Sequence, residues 1–286
     1  MRSSRLWRLH AKSRPISLER IFVINLDRRP DRWAAIQTIC ARAGFPAERT
    51  ERFPAVEGSC VDVDLAHRCG FVSALGLSRL KEPQEHHIWG MDLNKAALGC
   101  ALSHIHLWAR IAALGSVSSV SAEATDGALP PKPCFLVLED DSTFVDGDSS
   151  GSDSLGASSS IPFLDQLQRR MSRVPRDWEL VYVSGLDTAQ QCPQMSVAEG
   201  VAHVPQYHRT TNAYLVTPQG ARRLLATCVP ITFQLDTVMT MNVGYPPGVS
   251  HAKDMRTLPY VLDPVCYTLQ PPLMRQSAQL GTDIQH

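Results

Sequence analysis

The chain has 286 residues, of which 44% are hydrophobic, so it can bury a substantial core in one large domain or two small ones. Lys plus Arg and Asp plus Glu number 28 each, and this balance disfavours non-specific binding to nucleic acid or to membranes. The eight cysteines are scattered without a CxxC pair, which favours buried free thiols in a reducing compartment over a disulfide framework.

The N-terminal residues 1–18 are predicted to be a disordered basic tail, ahead of a single domain over residues 19–286. This start is rich in Arg and Ser but lacks the apolar run of a signal peptide, although a transit-like leader would share its composition. We see no stretch of about twenty apolar residues, so no transmembrane segment is expected. Cytoplasmic or membrane-peripheral action is the default expectation.

The first predicted elements form a strand, a loop and a helix. Residues 21–24 are a short apolar run, typical of a buried strand. Pro30 occupies the start of a helix whose apolar residues recur at helical spacing until Gly44. Between residues 94 and 114, apolar side chains keep to steps of three and four, which predicts an amphipathic helix.

Three further strands are predicted, at residues 134–138, 180–183 and 213–216. Thr217 and Pro218 follow the last of them as the start of a helix. Two Ser- and Gly-rich segments, at about 115–132 and 146–160, are predicted to be surface inserts. Strands alternating with helices indicate an α/β fold with a mostly parallel sheet flanked by helices. Prolines and glycines beyond Ile231 predict an irregular C-terminal part.

An acidic triplet, Glu139-Asp140-Asp141, directly follows the strand at 134–138. The carboxyl ends of strands are where open α/β sheets bind ligands. If the chain stays extended, Glu139 and Asp141 project to one face and Asp140 to the other. Two carboxylates on one face suit Mg²⁺ or Mn²⁺, with water and phosphate oxygens in the remaining positions. The alternative is a solvated acidic cap on the strand.

Arginines surround the N-terminus of the first helix, where free amides and the helix dipole favour phosphate. Arg28, Arg29 and Arg32 therefore suit a diphosphate, with Arg28 and Arg32 the stronger candidates. Equally, these arginines could pair with Asp27 and Asp31 on a solvated surface.

The helix at 94–114 carries Cys100, His104 and His106, which invite comparison with a transition-metal site. Cys100 and His104 lie one helical turn apart, but His106 is about 200° around the helix from His104. We therefore reject a zinc site made of these three residues. A histidine satisfied within the helix packing is the alternative role of His104.

The chain carries IFVINLDRRPDRW, ALGCALSHIHLWARI and FLVLEDDSTF in this order. DWELVYVSG, TTNAYLVTPQGARRLL, QLDTVMT, VLDPVCYTLQ and a closing TDIQ follow. In content and order these segments resemble glycosyltransferase family 25, which includes bacterial lipopolysaccharide sugar transferases and collagen hydroxylysine galactosyltransferases. The resemblance runs from Ile21 to about Gln285. Ser142 departs from it, because the family most often has Ala after LEDD.

The resemblance implies a GT-A-like, Rossmann-like α/β fold, a UDP-sugar donor, usually UDP-galactose, a Mn²⁺ requirement and inversion at the anomeric carbon. By the same correspondence, Asn25, Arg28 and Arg32 lie beside the nucleotide, and Ser103 with His104 approach the donor or the metal. Glu139, Asp140 and Asp141 occupy the acidic motif, with Glu139 and Asp141 as metal residues and Asp140 beside the donor.

Inversion in one displacement needs a base for the acceptor hydroxyl and stabilisation of the departing diphosphate. Asp236 stands at the family's later aspartate and is the candidate base, with a strand-end carboxylate as its competitor. The structural alternative for Asp236 is a buried carboxylate that caps a helix beginning at Thr237.

The leading hypothesis is a hexosyltransferase with a nucleotide-sugar donor and a glycan or protein acceptor. One rival is a Mg²⁺-dependent phosphohydrolase built on the acidic triplet, for which the sequence offers no distinctive nucleophile. Another is a degenerate family member that binds sugar nucleotide without turnover.

Overall fold

The computed structural model describes residues 15–88, 90–118, 131–145, 162–185, 196–204, 208, 210–240, 264–277 and 281. The strands are β1 (Ile16–Asn25), β2 (Thr50–Pro54), β3 (Lys132–Glu139), β4 (Ser142–Phe144), β5 (Leu180–Tyr182), β6 (Ser196–Ala198), β7 (Val201–His203), β8 (Ala213–Val216), β9 (Cys266–Leu269) and β10 (Met274–Gln276). The helices are α1 (Pro30–Arg42), α2 (Val63–Arg68), α3 (Ala74–Lys81), α4 (Lys95–Ser118), α5 (Phe163–Met171), α6 (Pro218–Cys228) and α7 (Leu235–Thr240).

Eight strands form one central sheet in the order β2-β1-β3-β8-β5-β9-β7-β6. β1 pairs in parallel with β2 and β3, and β5 pairs in parallel with β9. β8 runs antiparallel between β3 and β5, and β7 runs antiparallel to β9 and β6. All the other strands of this sheet share one direction, so the predicted α/β class with a largely parallel sheet is confirmed, with β7 and β8 as the reversed members.

Helices cover both faces of this sheet. On one face, α4 and α6 pack a core that contains Trp108 and Leu224. On the other face, α1 and α5 contribute Ile36 and Leu167 to a second core. The apolar strand residues alternate between these two cores, as strands covered on both faces require. The seven described cysteines are free thiols, in agreement with the sequence.

β1 begins at Ile16, so residues 16–18, predicted to be part of a disordered tail, are strand. Only residues 21–24 have neighbours on both edges, because β2 pairs with residues 21–25 and β3 with residues 16–24. This explains why the apolar run covers only the second half of the strand: burial on both faces is confined to it. Residues 1–14 of the predicted tail lie outside the described residues.

The helix boundaries follow the signals in the sequence. α1 begins at Pro30 and is followed by Gly44, whose φ of 73° suits glycine after a helix. The Thr217 hydroxyl accepts the amide of Gly220 at the start of α6, as predicted. At the start of α4, the Asn94 side chain accepts the amide of Ala97 at 2.7 Å.

α4 carries the candidate site residues Ser103 and His104. Two glycines, Gly58 and Gly99, allow the 58–60 turn to pack closely against it. A Cβ on Gly99 would lie 2.6 Å from the Gly58 nitrogen, so the backbone of the 58–60 turn can approach the helix only because both residues are glycine. By length and composition alone, Lys95–Gly115 could cross a membrane, which the sequence reading did not expect. About two-thirds of that window is buried within the fold, as in a core helix.

Two predictions about irregular segments are wrong at their margins. α4 continues to Ser118 and β3 begins at Lys132, so the ends of the predicted insert at 115–132 are regular structure. The C-terminal part contributes α7, β9 and β10, although its prolines predicted irregular chain. β9 is a buried four-residue run, too short to stand out between prolines. The core of the first insert and the second insert, at 146–160, lie outside the described residues.

Candidate functional site

A pocket opens at the carboxyl ends of β1 and β3, beside the first half of α4. It is lined by Arg28, Arg32, Ser103, His104, Glu139, Asp140 and Asp141 among the predicted site residues. Its lining also includes Cys100 and Gln276, which the sequence did not assign to it. Asn25 and Asp236 are not among the described residues that line it.

The acidic triplet does not continue the strand. β3 ends at Glu139, and Asp140 and Asp141 form a turn before β4 begins at Ser142. The three carboxylates consequently face the same pocket, and the prediction that Asp140 points away from the other two is wrong. The Ser142 hydroxyl donates to the Asn212 carbonyl at 2.6 Å, so the serine at this position ties the turn to the chain before β8.

Asp140 is held by two buried partners. The Asn25 Nδ2 donates to its Oδ2 at 2.7 Å, and the Arg32 Nη1 donates to its Oδ1 at 3.0 Å. Burial raises the pKa of Asp140, and these two partners oppose that rise. Asn25 also accepts the Arg52 Nε at 2.7 Å, so its side chain lies behind Asp140 and not in the pocket. The structure therefore gives Asn25 a contact that positions Asp140, and its expected place beside the nucleotide stays a prediction.

The arginines around the start of α1 divide into two groups. Arg32 is buried, and its Nη1 lies 3.9 Å from Asp141 as well as 3.0 Å from Asp140. Arg28 lines the pocket with half of its side chain exposed and donates to Glu57 at 2.6 Å. Arg29 instead forms an ion pair with Asp31. The solvated-surface interpretation therefore fits Arg29.

Asp141 is the carboxylate with the fewest partners. It is 3% exposed, and its Oδ2 accepts the Gln276 Nε2 at 2.8 Å. Its Oδ1 is buried and has no hydrogen-bond partner among the residues that the structure describes. Burial, followed by the charge of Glu139, raises the pKa of Asp141 to about 7. A buried acceptor without a donor costs free energy, which a bound cation would remove.

Glu139 has the opposite balance of interactions. Its Oε1 accepts the Thr211 hydroxyl at 2.5 Å and lies 3.2 Å from the His104 Nε2. Burial alone would raise the pKa of Glu139, but His104, Thr211 and the charge of Arg32 outweigh it, and the pKa is lowered. The partners of Glu139 thus favour its charged form, and the charge of Glu139 disfavours the charged form of Asp141.

Thr211 belongs to a strained segment that sequence reasoning missed. The preceding residue, Thr210, has a φ of 80°, which is unfavourable for a β-branched residue. Its hydroxyl donates to the Asn212 Oδ1 at 2.8 Å, and its amide donates to the Asp236 Oδ2 at 3.3 Å. Such strain persists only where surrounding contacts enforce it, and here it sits next to a partner of Glu139.

His104 is fully buried and bonded at both ring nitrogens. Its Nδ1 lies 2.8 Å from the Tyr214 hydroxyl, which also accepts the Trp108 Nε1 at 2.8 Å. Because the Trp108 group can only donate, the Tyr214 proton is available to His104 Nδ1, and the ring proton then faces Glu139. His104 is therefore oriented toward Glu139. His106 is exposed, so it is excluded from this cluster as the helical geometry predicted.

Ser103 lines the pocket but its hydroxyl is used by the backbone. It donates to the Gly99 carbonyl at 2.7 Å and accepts the Val56 amide at 2.8 Å. These contacts fix the chain after β2 against α4.

Asp236 lies in the first turn of α7, which begins one residue earlier than it. Its Oδ1 accepts the Thr237 amide at 2.7 Å, in keeping with the helix-start alternative. Its Oδ2 accepts the Thr210 amide at 3.3 Å, which links Asp236 to the segment that carries Thr211, a partner of Glu139.

Comparison with known proteins identifies the chain's relatives. A family model described as glycosyltransferase family 25 (LPS biosynthesis protein) matches residues 18–239. A glycosyltransferase 25 family member of Drosophila pseudoobscura pseudoobscura is 26% identical over 74% of this chain and 28% of its own length. Procollagen galactosyltransferase 1 of Danio rerio is 27% identical over 73% of this chain and 29% of its own length.

A third relative, inactive glycosyltransferase 25 family member 3 of Mus musculus, is 27% identical over 74% of this chain and 29% of its own length. The chain thus covers less than a third of the length of these relatives. The family match spans most of the chain and contains β1, α4 and β3, whose residues build the pocket. The chain belongs to glycosyltransferase family 25.

Proposed function

We propose that this chain is an inverting hexosyltransferase that moves galactose from UDP-galactose to a hydroxyl of a glycan or a protein. The observation that carries the proposal is Asp141, a buried carboxylate whose Oδ1 has no hydrogen-bond donor among the described residues, in a pocket shared with two more carboxylates. A cation bound to this oxygen would offset the cost of burying the charged carboxylate.

The residues present fit a hard divalent cation, Mn²⁺ or Mg²⁺. Asp141 would supply a direct ligand through its open oxygen, and Glu139 would supply a second carboxylate from the end of β3. Asp140 would stay outside the ligand set, because both of its oxygens already accept hydrogen bonds from Asn25 and Arg32. When bound, the cation would neutralise charge on the departing UDP diphosphate.

Arg28 supports the donor side of the proposal. It stands at the N-terminus of α1, half exposed and in the lining of the pocket, where an arginine can exchange a surface carboxylate for a phosphate. Its partner Glu57 lines the same pocket. Donor binding would therefore break the Arg28–Glu57 pair, whereas Arg32 would keep its contact with Asp140.

We assign the role of general base to Asp236, with Glu139 as its competitor. Its contact with the Thr210 amide, next to the Thr211 partner of Glu139, supports this role, and its two backbone contacts would hold the carboxylate in place. Asp236→Asn is expected to reduce turnover while leaving Mn²⁺-dependent UDP binding intact. Loss of binding instead would assign Asp236 to the structure of the donor site.

A binding protein without turnover is the second candidate, because the Mus musculus relative is named inactive. The acidic triplet and its buried partners would serve both candidates equally. A phosphohydrolase remains the third, and it needs an activated water near the cation.

One assay distinguishes the three candidates. The protein is incubated with Mn²⁺ and UDP-galactose, with and without a panel of glycan and peptide acceptors, and released UDP and phosphate are measured. Acceptor-dependent UDP release supports the transferase, binding without release supports the binding protein, and phosphate release from simple esters supports the hydrolase. Asp141→Ala should abolish the transfer, whereas the control Asp64→Ala, which removes an exposed carboxylate paired with Lys81, should not.

A further inference from the structure

A second cluster in the pocket has a different chemistry from the acidic triplet. Cys100, His104 and Glu139 each present one ligand atom, and these three atoms lie within 4.8 Å of one another. Cys100 and His104 come from the same face of α4, one turn apart, and Glu139 comes from the end of β3. Sequence analysis grouped the two α4 residues with His106. It did not include Glu139, because Glu139 lies on a strand distant in sequence.

The spacing of these atoms is close to that of a tetrahedral site. Nitrogen and oxygen ligands bind Zn²⁺ at about 2.0–2.2 Å, so two of them lie roughly 3.3 Å apart around the ion. The His104 Nε2 and the Glu139 Oε1 are 3.2 Å apart. The cysteine sulfur, with a bond to zinc of about 2.3 Å, completes the set after a small side-chain movement.

The surroundings of His104 suit a metal ligand. Its Nδ1 is anchored by the Tyr214 hydroxyl, and Trp108 holds that hydroxyl from the other side. In the tautomer with the proton on Nδ1, that N–H donates to the Tyr214 oxygen and fixes the ring so that the Nε2 lone pair is directed at a metal. The Thr211 hydroxyl holds Glu139 in the same manner.

We propose that Cys100, His104 and Glu139 form a site for a thiophilic divalent cation of the Zn²⁺ class. Cys100 loses its thiol proton to solvent. The His104 Nε2 gives its proton to solvent while Nδ1 takes one up and donates it to the Tyr214 oxygen, so Nε2 bonds the cation in place of its contact with Glu139. The thiolate and the carboxylate together balance the two charges of the cation. All three residues line the pocket, so the cation can enter from it and keep one position open.

This site and the proposed donor site share Glu139. A thiolate and an imidazole select Zn²⁺ over Mn²⁺ and Mg²⁺, which prefer oxygen ligands. Zn²⁺ at this site therefore withdraws Glu139 from the cation that supports donor binding. On the assumption of the proposed function, Zn²⁺ therefore inhibits transfer. Mn²⁺ does not occupy this site in its place, because it binds the Cys100 thiolate poorly.

The test uses Co²⁺ as a spectroscopic substitute for Zn²⁺, because cobalt bound to a thiolate has a charge-transfer absorption. The purified full chain is freed of metal and titrated with Co²⁺ without any nucleotide. We expect the thiolate absorption to saturate at one Co²⁺ per chain and to disappear on addition of Zn²⁺. Cobalt that binds without this absorption would overturn the proposal.

Variants locate the ligands. Cys100→Ala should abolish the absorption, whereas Cys69→Ala, at an exposed cysteine elsewhere, should leave it unchanged. Tyr214→Phe removes the outer contact of His104, together with the acceptor of the Trp108 Nε1, and is expected to weaken Co²⁺ binding by about 10–100-fold while the absorption remains. Should Cys100→Ala not fold, Glu139→Gln replaces it as the ligand variant. An absorption that survives Cys100→Ala, or a Co²⁺ affinity that Glu139→Gln leaves unchanged, would contradict the site.

The inhibition is measured separately, so the two proposals can fail independently. If the chain transfers galactose, Zn²⁺ should inhibit the wild type at least ten times more strongly than Cys100→Ala. A thiolate absorption in a protein without transferase activity would confirm the site and reject the proposed function. Equal inhibition of both proteins would show that the site, if bound, does not act on the donor cation.

Discussion

Two buried aspartates in this molecule show how a structural carboxylate differs from one that is ready for a ligand. The Asp92 side chain is 0% exposed, and its oxygens accept hydrogen bonds from Arg79 and from the Ile88 amide. Asp141 is almost as buried, yet one of its oxygens has no donor among the described residues, and two other carboxylates lie beside it. The first carboxylate is satisfied by its own fold, and the second has an oxygen that a cation would satisfy under the proposed function.

The largest change in the free energy of unfolding is expected at the ion pair of Arg79 and Asp92. Arg79→Met leaves Asp92 as an uncompensated buried charge and should lower the free energy of unfolding by about 3 kcal/mol. Urea denaturation followed by circular dichroism measures this loss. Mn²⁺-dependent UDP binding by the folded protein should stay unchanged, since Arg79 does not line the pocket. If Arg79→Met is as stable as the wild type, Asp92 does not depend on its partner and the difference from Asp141 is not supported.

Substitution of Asp141 is expected to raise the free energy of unfolding instead of lowering it. Its folded-state pKa of about 7 lies above the unfolded value of 3.8, so the folded protein holds this proton more tightly and the free energy of unfolding falls as pH rises from 4 to 7. Asp141→Asn should therefore stabilise the metal-free protein by about 2 kcal/mol at pH 8, and the gain should shrink toward pH 4.

The control for this prediction is Asp64→Asn, which changes an exposed carboxylate. Thermal unfolding in the presence of a chelator, at pH 8 and at pH 4, gives both the sign and the pH window. Destabilisation by Asp141→Asn at pH 8 would show that the carboxylate is satisfied in the metal-free protein, as Asp92 is.

A smaller effect is expected at Glu139. Thr211→Val removes the hydroxyl that donates to its Oε1 and should lower the free energy of unfolding by about 1 kcal/mol. It should also weaken Mn²⁺ binding, because Glu139 loses the contact that fixes its position. Thr38→Val, at an exposed threonine on α1, is the matched control. Equal binding by both variants would separate Glu139 from the cation.

Much of the fold was predictable because it depends on local signals. Apolar runs marked the buried parts of β1, β3, β5 and β8, and Pro30, Gly44 and Thr217 marked helix ends. β7, β9 and the reversed direction of β8 were not predictable, because the pairing of short strands is determined by their neighbours in the sheet. Residues 16–18 were missed since their strand partner, β3, lies more than a hundred residues away.

The site was predictable in its charges and not in its contacts. The acidic triplet, Arg32 and His104 stood in recognisable segments, and the structure brings them into one pocket. The turn after Glu139 was missed because the reading assumed extended chain. Thr211 and Gln276 gave no local signal, since a single hydroxyl or amide acquires its role only through a contact across the fold.

The central claim is that the acids after β3 bind a cation which holds the pyrophosphate of a sugar nucleotide. Calorimetric titration of UDP into the chain, with and without Mn²⁺, tests it most directly. Because loss of even an outer contact costs about 10–100-fold in metal affinity, removal of a ligand in Asp141→Ala should weaken Mn²⁺-dependent UDP binding by about 100-fold or more. Equal UDP affinity in the wild type and in Asp141→Ala would contradict the claim.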